Sequence, residues 1–149
     1  MQYEQFGHFS DDGLEFTINT PQPPRPWLNY LWNDQYLAIV SQTGQGRGVY
    51  QDTSGRRTDL VQGARMIYLR DADSGEFWTA NAGRVDDHPK PFDCTVGLGY
   101  QIIRSSQQGI ASQWRTFVPR EDPCEIWTVT LRNDSADVRH LNAFLYFDT

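Results

Sequence analysis

Residues Pro26 to Asp52, PWLNYLWNDQYLAIVSQTGQGRGVYQD, decide how the chain is read. Four aromatics, Trp27, Tyr30, Trp32 and Tyr36, precede an apolar run, Tyr36-Leu37-Ala38-Ile39-Val40, which then breaks at three alternating glycines, Gly44, Gly46 and Gly48. The apolar run reads as a strand. Two readings of the glycine segment stand side by side. It is a turn or bulge where positive φ is required, or it is an arginine-bearing loop delivered to a ligand by the strand. Under the second reading Arg47, flanked by glycines, has a side chain free to reach outward.

Upstream, Leu14, Phe16 and Ile18 alternate with Glu15 and Thr17, the period of a half-buried strand. The segment from Thr20 to Pro26 holds four prolines, which remove backbone donors and favour an extended connector between strands. It also has the composition of a proline-rich ligand. Downstream, Met66 to Leu69 and Glu76 to Thr79 flank the turn residues Arg70 to Gly75, a hairpin signature. Residues Gly83 to Phe92 read as a polar loop, in which Asp86, Asp87 and His88 either face water or offer metal ligands.

In the carboxy-terminal half Tyr100, Ile102 and Arg104 alternate against Gln101 and Ile103, and Ser105 to Gly109 reads as a turn. Ile110, Ser112, Trp114, Thr116 and Val118 then share one face. Trp127, Val129 and Leu131 form the apolar face of a further strand, and Val138 to Phe147 forms another. No helical period of useful length occurs. Short strands separated by Gly, Pro, Asn and Asp clusters predict an all-β antiparallel sandwich. Trp114 and Trp127 are expected in its core, with Trp32 and Trp78 partly exposed. The aromatic set Trp27, Tyr30, Trp32, Trp78, Trp114 and Trp127 has a second reading as a sugar-stacking platform. The last residues, Leu145 to Thr149, leave an apolar strand with no capping turn, so the sandwich is expected to be truncated here.

The chain has 149 residues, a length suited to one domain. Its net charge of −6 and pI near 4.9 argue against a nucleic-acid partner. Local arginines can still hold a small anion. With 13% aromatic residues the composition is that of a folded chain, although the mean hydropathy of −0.63 is polar. Residues 1–5 show neither a basic n-region nor an apolar h-region, and no run approaches membrane-spanning length. A cytoplasmic protein without membrane contact is expected, with Cys94 and Cys124 as reduced thiols. No Gly-x-Ser-x-Gly elbow is present, and Gly44 to Gly48 lacks the Gly-Lys-Ser/Thr ending of a nucleotide-phosphate loop.

An ordered set of short motifs adds a family resemblance. It comprises Gly7-His8-Phe9, Asp11-Asp12, Glu15-Phe16-Thr17-Ile18, Thr20-Pro21, Pro26 to Leu31, Tyr50-Gln51-Asp52, Arg56-Arg57, Tyr68-Leu69-Arg70-Asp71, Gly75-Glu76-Phe77-Trp78, Gly97-Leu98-Gly99-Tyr100 and Phe117-Val118-Pro119. In that order they resemble the amino-terminal domain of the inverting disaccharide phosphorylases of glycoside hydrolase family 94. The resemblance implies a galactose-mutarotase-like supersandwich over residues 1–149, incomplete at its carboxy-terminal end. It also implies that the catalytic aspartate lies in an (α/α)₆ barrel outside this sequence, so that no residue here is catalytic and this piece alone is inactive. Phosphorolysis needs only that acid, because phosphate is itself the nucleophile. No cofactor is implied beyond inorganic phosphate as co-substrate.

The family further implies a homodimer, with an oligosaccharide substrate approached on its acceptor side by Gln45, Arg47, Tyr50, Asp52 and Arg56, with Arg57 just beyond. At this place the cellobiose enzymes carry a small-Gly-Gly-Tyr-Ser-Phe-Tyr run, whereas this chain has Thr43-Gly44-Gln45-Gly46-Arg47-Gly48-Val49-Tyr50. The departure leaves the acceptor open. A free-standing carbohydrate-binding sandwich without catalysis is the competing reading.

Overall fold

The structure, a computed structural model, describes residues 5–81 and 91–149. Among these the chain is all β. Thirteen strands run in order: β1 (Gly7–Phe9), β2 (Phe16–Ile18), β3 (Leu28–Trp32), β4 (Tyr36–Ser41), β5 (Gly46–Gln51), β6 (Arg57–Gly63), β7 (Arg65–Asp71), β8 (Phe77–Thr79), β9 (Phe92–Gly97), β10 (Tyr100–Gln107), β11 (Ile110–Phe117), β12 (Ile126–Asn133) and β13 (Leu141–Phe147). They form three antiparallel sheets, ordered β1-β2-β9-β10-β11-β12, β3-β4-β5-β6 and β13-β7-β8. Asp86, Asp87 and His88, read above as a loop or metal site, lie outside the described residues.

The main core lies between the six-stranded sheet and the β13-β7-β8 sheet. Ile18, Cys94, Ile103, Ile110 and Trp114 come from the first, and Ile67, Leu69 and Trp78 from the second. On β11 the inward residues are Ile110, Ser112, Trp114 and Thr116, as the period of two requires. Trp127 packs edge-on against Trp114, with ring centroids 5.3 Å apart. Burying two hydroxyls in this core costs little because Ser105 and Ser112 bond each other at 2.8 Å and both reach the Ala80 carbonyl.

The four-stranded sheet has its own inner cluster, Leu31, Tyr36, Ala38 and Val40, with Tyr50 and Val118 against it. Buried amides tie it to the rest. Gln101 Nε2 donates to the Ser41 carbonyl at 2.6 Å, and Asn81 Nδ2 donates to the carbonyls of Thr43 and Arg65, both at 2.8 Å. Backbone bonds from Gln62 to Asp148 and from Asp148 to Ala64 join the end of β6 to the segment after β13.

Several expectations need correction. Trp78 is buried at 2% exposure, because β8 is covered by the six-stranded sheet. Leu14 lies before β2 and is exposed. The turn expected over Ser105–Gly109 shrinks to Gln108-Gly109, since pairing of β10 with β11 continues to Gln107 and Ile110. Residues 138–140 precede β13 rather than forming its start. Strand β6 has no counterpart in the sequence reading. Trp32 is exposed, as expected, at 68%.

Candidate functional site

The glycine segment is a hairpin, and most of it is strand. Residues 42–45 make the turn and β5 begins at Gly46, paired to Val40 of β4. Gly44 adopts φ of +87°, and a Cβ there would stand 2.6 Å from the Trp114 ring. At Gly48 a Cβ would come within 2.4 Å of the Tyr36 hydroxyl. Both glycines are required by the packing beneath the sheet, which supports the turn-and-bulge reading of the motif. A register shift between Gly48 and Val49 in the β5–β6 pairing supplies the bulge.

Alternation along β5 separates the residues that the sequence grouped. Arg47, Val49 and Gln51 line the outer face, whereas Tyr50 packs on the inner cluster beside Tyr36. Gln45 is exposed at the turn before β5, and Asp52 and Arg56 sit in the turn after it. At roughly 3.3 Å per residue, Gln45 and Asp52 are about 23 Å apart along the strand. The five residues do not converge on one point.

Two of them, Arg47 and Asp52, also have local side-chain partners that the sequence did not reveal. Arg47 is not free: its Nη2 contacts both Asp59 carboxylate oxygens at 2.7 Å. Asp52 Oδ1 accepts from the Ser54 hydroxyl at 2.6 Å and from the backbone amides of Ser54 and Arg56, both at 2.9 Å. That is turn chemistry. The Ser54 hydroxyl, then these amides, holds the Asp52 carboxyl below the usual range. Arg57 Nε donates to Gln51 Oε1 at 2.9 Å.

A groove of about 340 Å³ on the outer face of the four-stranded sheet is lined by Arg47, the one of the five that reaches it, together with Gln51, Arg57 and Asp59. Leu37, Ile39 and Val49 form its floor, Arg47, Asp59, Arg57 and Gln51 one wall, and Asn33, Asp34 and Gln35 one end. Asn33 fixes that end. Its Oδ1 accepts from the amides of Gln35 and Tyr36, and its Nδ2 donates to the carbonyls of Pro119 and Asp122, all within 2.9 Å. Tyr30 and Trp32 stand exposed beside the floor, because β3 pairs them with Ile39 and Leu37.

Beneath the same sheet lies a buried ion pair. Arg65, fully buried, donates through Nε and Nη2 to the two oxygens of Glu125 at 2.6 and 2.9 Å. Its Nη2 also reaches the Arg47 carbonyl at 2.8 Å. Trp127 Nε1 donates to Glu125 at 3.0 Å. Burial, and then the neighbouring Glu125 charge, pushes the Tyr36 phenol upward. Among the described residues no group of three or more His, Cys, Asp or Glu side chains is placed to hold a metal ion. Cys94 and Cys124 are both free thiols.

Comparison with known proteins fits this architecture. The profile described as "Glycosyl hydrolase 94, supersandwich domain" matches residues 14–149. The chain belongs to glycoside hydrolase family 94.

Among family 94 relatives, a solabiose phosphorylase of Paenibacillus borealis is 41% identical, over 96% of this chain and 20% of its own length. A 3-O-beta-D-glucopyranosyl-beta-D-glucuronide phosphorylase of the same organism is 40% identical, over 97% of this chain and 18% of its own. An N,N'-diacetylchitobiose phosphorylase of Vibrio proteolyticus is 28% identical, over 97% and 19%. The chain therefore spans about a fifth of the length of these relatives. It corresponds to their supersandwich domain, in keeping with a non-catalytic role.

Proposed function

We propose that this chain is the amino-terminal supersandwich portion of an inverting phosphorylase that cleaves a β-linked disaccharide or oligosaccharide with inorganic phosphate. The observation that carries the reading is the supersandwich match over residues 14–149, joined to about 40% identity with two phosphorylases. The general acid is supplied by the rest of the longer protein, and no cofactor is needed, because phosphate is already an anionic nucleophile. The working enzyme is a cytoplasmic homodimer in which this sandwich shapes the subunit contact.

Within that assembly the β4–β5 hairpin approaches the acceptor side. Gln45 and Arg47, two residues apart across the start of β5, face that side as a pair that one sugar can reach together. Tyr50 supports the strand from inside, and the Asp52–Arg56 turn borders the other end. The full-length protein is expected to consume a β-linked disaccharide only when phosphate is supplied, and to release sugar 1-phosphate. Residues 1–149 alone should release none. Turnover by residues 1–149 alone, or phosphate-independent cleavage by the full-length protein, would overturn the reading.

A further inference from the structure

We infer that the outer groove of the β3-β4-β5-β6 sheet is a binding surface for a neutral β-linked glucan chain. The inference rests on the substrate class of the proposed function; the groove shares Arg47 with the acceptor side, whereas Tyr30, Trp32 and Gln35 have no part in that side.

The chemistry of the groove and of the β3 residues that border it favours a sugar. Tyr30 and Trp32, 57% and 68% exposed, project from one face of β3 about 7 Å apart, roughly the breadth of one pyranose ring. Aromatic faces of this kind cover the apolar side of a sugar ring, while their polar edges keep access to hydroxyls. Beside them the wall presents flat, forked groups. Arg47 Nη2 meets both carboxylate oxygens of Asp59 at 2.7 Å, and Arg57, an exposed residue, is anchored through Nε on Gln51 at 2.9 Å. Forked donors and acceptors match vicinal hydroxyls.

Charge selects against an ion. Arg47 and Arg57 face Asp34 and Asp59 within one groove, two cations against two anions, so neither phosphate nor an acidic sugar gains net attraction. The floor of Leu37, Ile39 and Val49 is half-buried and apolar, which suits the ring edge of a flat chain. Asn33, bonded on both its oxygen and its nitrogen, keeps the groove's end rigid before any ligand arrives.

The test uses the full-length protein in native gels containing a soluble mixed-linkage β-glucan. Migration of the wild type should be retarded by the polymer, and Trp32→Ala and Tyr30→Ala should each weaken retardation at least tenfold. Gln35→Ala, which leaves the aromatics intact, should weaken it by a smaller factor. Disaccharide phosphorolysis by all three variants should keep its kcat and KM, which also shows that each is folded. Retardation unchanged in Trp32→Ala, or absent in the wild type, overturns the inference. So does a shift of Trp32→Ala to a smaller species in size exclusion, which would make this face a contact between copies. Loss of phosphorolysis in the wild type would instead remove the proposed function and leave the gel result to stand alone.

Discussion

Arg65 and Glu125 form a two-pronged ion pair in the interior, with Nε to Oε1 at 2.6 Å and Nη2 to Oε2 at 2.9 Å. The pair joins the first residue of β7 to the segment entering β12, and the same guanidinium holds the Arg47 carbonyl of β5. Three sheets therefore meet at one side chain. Removing one partner leaves the other buried and uncompensated, so Glu125→Ala should destabilise the protein by about 3–5 kcal/mol. The double replacement Arg65→Met with Glu125→Leu should cost much less than either single change to Ala. Urea unfolding of the four proteins measures the difference, and additive losses would contradict this view of the pair.

Gly48 lies directly over Tyr36 and Arg65. Gly48→Ala places a methyl group 2.4 Å from the Tyr36 hydroxyl and 3.3 Å from Arg65 Nη2. Overpacking of this kind costs about 1–3 kcal/mol. The expected rescue is Tyr36→Phe, which removes the clashing oxygen. Thermal melts of the single and double variants check the pairing.

Asp71 closes the β7–β8 turn. Its Oδ1 accepts from the amides of Asp73 and Ser74, and its Oδ2 accepts from Arg139 at 2.7 Å. The Ser74 amide, followed by Arg139, lowers its pKa to about 2. A folded value below the unfolded one means that the ionised form stabilises the fold. That contribution is complete above the ordinary carboxylate range near 4, and is lost as the pH falls toward about 2. Asp71→Asn should therefore lower the melting temperature at pH 7 and flatten the acid-side decline between pH 4 and 2. Melting curves across that window report it.

Arg47 and Asp59 meet at the surface, with side chains 57% and 30% exposed. Their coupling in a double-mutant cycle should stay below about 1 kcal/mol. If the hairpin serves the acceptor, Arg47→Ala raises the acceptor KM in the full-length protein and leaves the phosphate KM unchanged. Asp59→Ala should do the same to a smaller extent, because Asp59 orients the guanidinium. Kinetics in the synthetic direction separates this from a surface pair without function, for which neither KM moves.

The parts of the fold legible from sequence were those in which alternation is undisguised. Ile110, Ser112, Trp114 and Thr116 declared their inward face because every intervening residue could face out. Strand β6, Arg57–Gly63, was hidden because its apolar content is the adjacent pair Leu60-Val61, which has no period. Strand β5 was hidden differently. Its inward positions include Gly46 and Gly48, glycines imposed by the Ile39 carbonyl and the Tyr36 hydroxyl, so the side chains that would show the period are missing. That loss made a strand look like a loop and placed Arg47 and Tyr50 on one side. The Arg65–Glu125 pair left no local signal, since its members are sixty residues apart.

In the proposed reaction of the full-length protein, phosphate attacks a glycosidic carbon with inversion. Proton NMR of the first-formed product, from full-length protein given a β-linked disaccharide and phosphate, tests it most directly. Inversion at a β-linked carbon gives the α-anomer of the sugar 1-phosphate as the initial product. A β-anomer, or free sugar formed at a rate indifferent to phosphate, would contradict it.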